Sequence, residues 1–505
     1  MSIFRTKSVE QSIAETDEPG HRLRRNLTAF DLAIFGIGVI IGTGIFVLTG
    51  QQAATNAGPA VIISFVLAGG VCALAALCYA ELASTIPAAG SAYTYSYATL
   101  GEFIAWIIGW DLCLELALGA SVVARGWSAY LQSLLGLPTW LAGDKAVPDF
   151  GAIFIVAALG TVAFLGVKLS GLVSRVLVVV KLAVIVFVIG LGAFYIKVSN
   201  YTPFVPPAQP AADADSGSAP LLQVLWGITP EHFGGWGIVA AASIVFFAYI
   251  GFDVVATSAE ETRNPQRDMP RGIIGSLVVC TLLYVAASAV VTGMTNYTKL
   301  NTGAPLAKAF ESVGLSWAAD VISLGAVCGI TSVLLILLLG QSRVFFAMAR
   351  DGLLPAKLAK VHPKYGTPWL ITLLTSSVVA VLAGFVPLSE LSELTRIGTL
   401  FAVVVVSIGV VVLRRTRPEL PRSFRTPWVP VLPILSVLAC AWLMLNLPVI
   451  TWERFAVWMV AGLGIYFLYS MRNSRLARPG AAPAGDTAEA VADPGPADPV
   501  GAATP

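Results

Sequence analysis

Four ionisable side chains stand inside long apolar runs, where such groups mark functional sites by default. Lys181 lies in Val178-Val179-Val180-Lys181-Leu182-Ala183, too deep to snorkel to an interface. Desolvation disfavours the charged amine, so its proton can be lost and regained within a working cycle. A permanent structural pairing is the alternative. Glu115 lies in Asp111-Leu112-Cys113-Leu114-Glu115, mid-run. It is a candidate pocket or proton-linked carboxylate, with a structural hydrogen bond as the alternative. Arg125 follows ten residues later. On a helix that is about 15 Å along the axis, too far for a direct pair. Asp253 follows Phe252. Its expected role is to cap a helix, with substrate contact as the second option.

Two stretches break the rules of a continuous apolar helix. One is Phe35-Gly36-Ile37-Gly38-Val39-Ile40-Ile41-Gly42-Thr43-Gly44-Ile45-Phe46. Glycines at such density weaken a helix. Ile41 stands where a dinucleotide fingerprint needs its third glycine, and no strand precedes the run. Close helix packing through small residues is one reading; an unwound segment at mid-membrane is the other. The second stretch is Phe246-Phe247-Ala248-Tyr249-Ile250-Gly251-Phe252-Asp253. Unwound backbone at membrane depth must line a cavity or find partners. Each break leaves free carbonyls on one side and free N–H groups on the other. The N–H end around Thr43, Gly44 and Ile45 suits a carboxylate. The carbonyls near Val39 and Ile40, and from Phe247 to Ile250, suit an ammonium. A zwitterion fits both, and an amino acid is the obvious one.

The elements that must hold these residues follow from composition. Of 505 residues, 56% are hydrophobic and 12% charged, with mean hydropathy +0.80. Soluble domains carry about 25% charge, so much of this chain faces lipid. A net charge of +2 gives no reason to expect nucleic acid. The six cysteines lie in apolar runs without C-x-x-C spacing, and the three histidines lie outside those runs. Neither set reads as a metal site. Residues 1–28 are polar and basic and do not read as a signal peptide.

A membrane helix needs about 20 apolar residues. Twelve such segments are expected, near 29–53, 59–85, 101–134, 150–168, 172–196, 236–260, 271–295, 314–348, 367–386, 394–413, 429–449 and 453–471. With both termini cytoplasmic, 23 of the 31 basic residues fall on that side and six outside, Arg396 among the six. This is the positive-inside bias. The expected organisation is a cytoplasmic segment 1–28, helices 1–5 over 29–196, an external loop over 197–235, and helices 6–10 over 236–413. A cytoplasmic loop with helices 11–12 over 414–472 and a disordered cytoplasmic tail over 473–505 complete it. The Pro/Ala/Ser-rich external loop reads as loosely ordered. The breaks fall in segments 1 and 6, each the first of five, as in inverted-repeat transporters.

Four motifs together resemble the amino acid–polyamine–organocation superfamily, most of all its bacterial cationic-amino-acid-transporter branch. They are Gly36 to Phe46; Cys78-Tyr-Ala-Glu-Leu-Ala83 running to Gly90-Ser-Ala-Tyr-Thr-Tyr95; Phe247 to Asp253 leading to Glu260-Glu-Thr-Arg-Asn-Pro-Gln-Arg-Asp268; and Gly340-Gln-Ser-Arg343 with Ala349-Arg-Asp-Gly-Leu-Leu-Pro355. The resemblance covers about residues 25–475. It implies an all-α integral membrane protein of the LeuT type, with a 5+5 inverted repeat, about twelve transmembrane helices and discontinuous helices 1 and 6. It also implies that Ile40, Thr43 and Gly44 hold the substrate's α-carboxylate and α-amino groups. Phe247, Ala248 and Ile250 fall where carbonyls receive the amino group, and Phe247 takes the aromatic gate position. Lys181 matches the lysine that replaces the second sodium ion between segments 1 and 8 in proton-coupled relatives. The wall near Gly329 to Ser332 is expected to tune side-chain choice. Larger animal members carry two further C-terminal spans that are not found here.

The expected function is secondary active transport of L-amino acids across the plasma membrane by alternating access. Neutral substrates come first and cationic ones second. Proton symport leads, exchange is the rival, and a non-transporting amino acid sensor is a third option. The substrate-binding candidates are Ile40, Thr43, Gly44, Glu115, Phe247, Ala248 and Ile250. Lys181 is the candidate for proton coupling, and no metal or cofactor beyond the proton is expected. A channel needs a filter ring or continuous polar pore. An enzyme needs a nucleophile–base pair, metal cluster or phosphate loop. The sequence offers none of these. The partners expected are the amino acid and the bilayer; oligomeric state is left open.

Overall fold

A computed structural model of the chain describes residues 5–7, 27–87, 91–166, 171–210, 217–256 and 258–477. The disordered tail expected beyond residue 477 and most of the N-terminal segment lie outside these described residues. The protein is all-α in its membrane part. Among the described residues, eight helical stretches are long and apolar enough to cross a membrane, and four more apolar helices are shorter. Two paired residues on each side, β1 (Gln209–Pro210) and β2 (Glu231–His232), form a small antiparallel ladder in the loop region.

The first apolar segment opens with α1 (Ala29–Ile40). Thr28 caps it: its hydroxyl accepts from the backbone N–H of Asp31, whose carboxylate accepts in return from the Thr28 backbone. This reciprocal pair fixes where α1 begins. After the break, helix resumes at residue 43 and runs to Ala57. Gly58, with φ +59°, ends it. Then come α2 (Val61–Thr85), α3 (Ser91–Thr99), α4 (Glu102–Leu135), α5 (Phe150–Phe164) and α6 (Gly171–Ala193). The sixth segment is split into α7 (Gly234–Val245) and α8 (Phe252–Ala256). The remainder comprises α9 (Pro265–Met294), α10 (Pro305–Ser312), α11 (Ser316–Arg350), α12 (Trp369–Phe385), α13 (Leu388–Thr416), α14 (Val431–Leu445) and α15 (Val449–Ile465).

Packing divides these helices into two groups. In one, α9 lies along α1 and α2, and α7 and α8 join α2. In the other, α4 lies along α11, with α5 and α12 against them. α6 touches both groups, and α13 packs on α4, α2 and α14. One buried carboxylate is tied across elements by several hydrogen bonds, as a buried charge requires. Glu81 on α2 receives Arg414 through Nε and Nη2 at 2.8 and 2.6 Å, and the Thr426 backbone N–H at 2.7 Å.

Two expectations change, for Arg396 and the external loop, and one holds, for Arg125. Arg396 does not stand in an exposed stretch: α13 begins at Leu388, not near 394, and Arg396 is 2% exposed and donates Nε to the Ser392 carbonyl. The short, polar Ser-Glu-Leu-Ser-Glu-Leu stretch has a helical period that hydropathy alone did not count. Arg125 turns away from Glu115, as its distance along α4 requires. It donates instead to the carbonyls of Ala383, Gly384 and Ala146. The described parts of the external loop are pinned rather than loose. Asn200 and Tyr201 donate to carbonyls of α9 at Gly293 and Ala289, and Pro220 bridges to Pro448.

Candidate functional site

The first break is two residues wide. Ile41 is extended (φ −72°, ψ 96°), and neither Ile41 nor Gly42 is helical. The helix resumes in wide turns over Gly44–Leu48. The carbonyls freed at the end of α1 are taken by other helices. Lys181 of α6 donates its Nζ to the Gly38 carbonyl, and Tyr284 of α9 donates its hydroxyl to the Ile40 carbonyl at 2.7 Å.

The second break follows one tight turn over Phe246–Tyr249. Gly251 carries φ +124°, a conformation that disfavours any side chain. Asp253 accepts from the Gly251 N–H at 3.2 Å, within the first turn of α8. That is the capping role its position suggests.

The two breaks touch. A Cβ on Gly44 would lie 2.3 Å from the Ala248 Cα, so glycine alone permits this approach. Tyr284 stands 3.0 Å from the Ala248 carbonyl as well. One hydroxyl hydrogen is thereby shared between the two broken segments.

Beside the breaks lies a small cleft, with about 400 Å³ of space between atoms when its open mouth is counted. Val39, Ile40, Gly42, Thr43 and Gly44 line it from the first break, and Phe247 and Ile250 from the second. The opposite wall is Glu115, Leu116, Gly119 and Val123 of α4, with Val333 and Leu337 of α11. The cavity thus sits between the two helix groups. Two polar atoms are buried there without a hydrogen-bond partner among the described residues: Thr43 Oγ1 and Glu115 Oε2.

Six of the seven binding candidates therefore border one cavity: Ile40, Thr43, Gly44, Glu115, Phe247 and Ile250. Ala248 does not line it. It packs on Gly44, and its carbonyl faces Tyr284. The Phe247 carbonyl accepts from the Ile250 N–H at 3.1 Å. The wall on α11 is Val333 and Leu337, not Gly329 to Ser332. Gly329 packs instead on the Lys181 stem, where a Cβ would meet Cγ at 2.8 Å. Lys181 lies fully buried between α1 and α11, outside the cavity wall, with no ion pair among the described residues.

Sequence reasoning missed Tyr284, although a tyrosine in an apolar run signals a hydroxyl seeking a partner. It passed over Asp111 too, one turn before Glu115. Asp111 is fully buried, both oxygens lack hydrogen-bond partners among the described residues, and a Cβ on Gly398 would lie 2.7 Å from its Oδ1. The apolar wall carries no signal that separates it from ordinary core.

Residues 27–466 match the family model described as amino acid permease. The chain belongs to the amino acid permease family. It is 47% identical to a methylthioribose transporter of Bacillus subtilis and 46% identical to a branched-chain amino acid permease of that organism. Each match covers 94% of this chain and 99% of the relative. A vacuolar cationic amino acid transporter of Arabidopsis thaliana is 38% identical over 83% of this chain and 68% of its own. This member of the family is a multi-pass membrane permease, not an enzyme, and its cargo is a small molecule.

Proposed function

We propose that this permease is a proton-coupled symporter of neutral L-amino acids, built as two inverted five-helix repeats within about twelve spans. In this reading both termini are cytoplasmic in a plasma membrane, as the distribution of basic residues favours. The packing groups support the repeat. Helices from the first, second, sixth and seventh segments form one group, and those from the third, fourth, eighth and ninth form the other. Each group draws on matching members of the two halves. A cavity between such groups is opened to either side by rocking one against the other.

The substrate's ends follow from the breaks. The resumed helix at Thr43 and Gly44 offers N–H groups and a free hydroxyl to the carboxylate. Carbonyls at Ile40 and Phe247 retain a second lone pair for the ammonium. Glu115 faces the same cavity as its acidic group.

The observation that carries proton coupling is the bond from Lys181 to the Gly38 carbonyl, two residues from the cavity wall at Ile40. No neighbouring carboxylate fixes this amine among the described residues. Protonation holds α6 to the broken segment; loss of the proton inside weakens that tie and favours release. No other cofactor takes part. The neutral preference draws support from the relatives named as branched-chain amino acid permeases, at 46% and 36% identity.

Uptake of labelled L-alanine and L-leucine into sodium-free proteoliposomes tests this, with an inward proton gradient and with methylthioribose as a competing cargo. Gradient-driven accumulation that is lost in Lys181→Ala supports symport. Accumulation that ignores the gradient and needs amino acid inside makes the protein an exchanger. Displacement by methylthioribose alone rejects the amino acid assignment.

A further inference from the structure

The face of α4 that borders the cleft continues past it. Val123 is the last residue of α4 on the cleft wall, and Gly126 and Tyr130 follow three and seven positions later. They lie one and two turns further along the same face. Both meet the helix that resumes after the first break. A Cβ on Gly126 would lie 2.1 Å from Thr43 Cγ2 and 3.3 Å from Val47 Cγ2, so glycine is what lets the two helices come this close. Tyr130 is fully buried, and its hydroxyl donates to the Phe46 carbonyl at 2.6 Å. Its ring meets the Phe46 ring edge-on, with centroids 5.8 Å apart. The acceptor lies within the wide turns of Gly44–Leu48, where the backbone departs from a regular α-helix.

A buried tyrosine bonded to a carbonyl is ordinary within a packed core. This one joins two bodies. The resumed helix packs on α9, whereas α4 lies along α11 in the other helix group. The bond therefore crosses the boundary that alternating access requires to open. In the proposed orientation α4 runs outward, so the junction lies between the cleft and the external side. We propose that Tyr130 is the latch of the external gate. It is a positioning residue: it holds Thr43 and Phe46 against α4 while the outside is shut, and lets go when substrate enters. Once the helices part, water takes the place of each partner, so the bond can be remade in every cycle. Gly126 sets how closely the gate shuts. This rests on the reading of the cleft as the transport site between two rocking groups. It goes further by naming the contact that must break.

Loss of one neutral hydrogen bond shifts a two-state equilibrium by about two- to tenfold. Val123→Cys places a thiol on the cleft side of the junction. Its rate of reaction with a membrane-impermeant methanethiosulfonate is measured from outside in right-side-out vesicles and from inside in inverted ones. The chain without this substitution controls for the native thiols. Adding Tyr130→Phe should raise the outside rate about two- to tenfold and should not raise the inside rate. Adding Gly126→Ala should act in the same direction, because its methyl wedges the junction at Thr43. An outside rate unchanged by Tyr130→Phe overturns the latch. So does a rise from both sides, which marks general loosening of the fold. Alanine should slow the labelling of Val123→Cys by itself. If it does not, the cleft is not the amino acid site, and the latch falls together with that reading. Should Gly126→Ala not reach the membrane, Tyr130→Phe keeps the ring and decides alone.

Discussion

The break in the first apolar segment is two residues wide, at Ile41 and Gly42, and borrows its partners from distant helices. The break in the sixth uses one left-handed glycine and an aspartate two residues away. At the first, Lys181 and Tyr284 satisfy carbonyls from α6 and α9. At the second, Asp253 reaches back to Gly251 within its own short helix. The first break is therefore sensitive to how the two helix groups are arranged, because its donors sit on other elements. The second is largely self-contained. On the proposed mechanism the first segment is the moving, coupled element and the sixth belongs to the frame.

Substitutions can break or sharpen this contrast. Gly44→Ala strikes the point where the breaks meet. Its Cβ would lie 2.3 Å from backbone at Ala248, and overpacking of this kind costs about 1–3 kcal/mol or more. A fall in initial alanine uptake into proteoliposomes of about 100-fold is expected. Wild-type uptake in this variant would mean that the breaks need not touch. Tyr284→Phe removes the shared hydroxyl and leaves the Ile40 and Ala248 carbonyls short of a donor. Loss of such a partner costs about 1–3 kcal/mol. Transport should drop about tenfold, and thermal unfolding in detergent should come earlier. An unchanged melting profile would show that the hydroxyl does not join the breaks. The smallest effect belongs to the self-contained side. Asp253→Ala should cost about 1 kcal/mol as a lost cap, while Asp253→Asn keeps an acceptor for Gly251 and should behave as wild type. If Asn is as damaging as Ala, the charge itself matters and Asp253 joins the transport machinery.

Much of the site was legible because irregularity in an apolar helix has few innocent explanations. Glycines crowded at 36–44, a glycine beside an aspartate at 251–253 and a lone lysine at 181 each stand out against hydrocarbon. What distinguished the glycines from one another was not legible. Gly36, Gly38 and Gly44 are close-approach residues, against Ser276, Val178 and Ala248 respectively. Packing and unwinding were alternatives in sequence, and in three dimensions the same run does both. Arg396 was misread because a charged residue near an apolar boundary looks exposed until a neighbouring carbonyl is seen to satisfy it.

Composition and periodicity by themselves determined that the chain is a helical membrane protein, where its apolar segments lie and which two of them are broken. Those properties depend on local hydropathy and on backbone freedom, which each residue carries with it. Which carbonyl Lys181 meets, which hydroxyl joins the breaks, and which leucines and valines face the cavity rather than lipid were decided only by tertiary structure. They depend on the rotation of each helix about its axis. A segment that is apolar on every side is compatible with any such rotation until its neighbours pack against it.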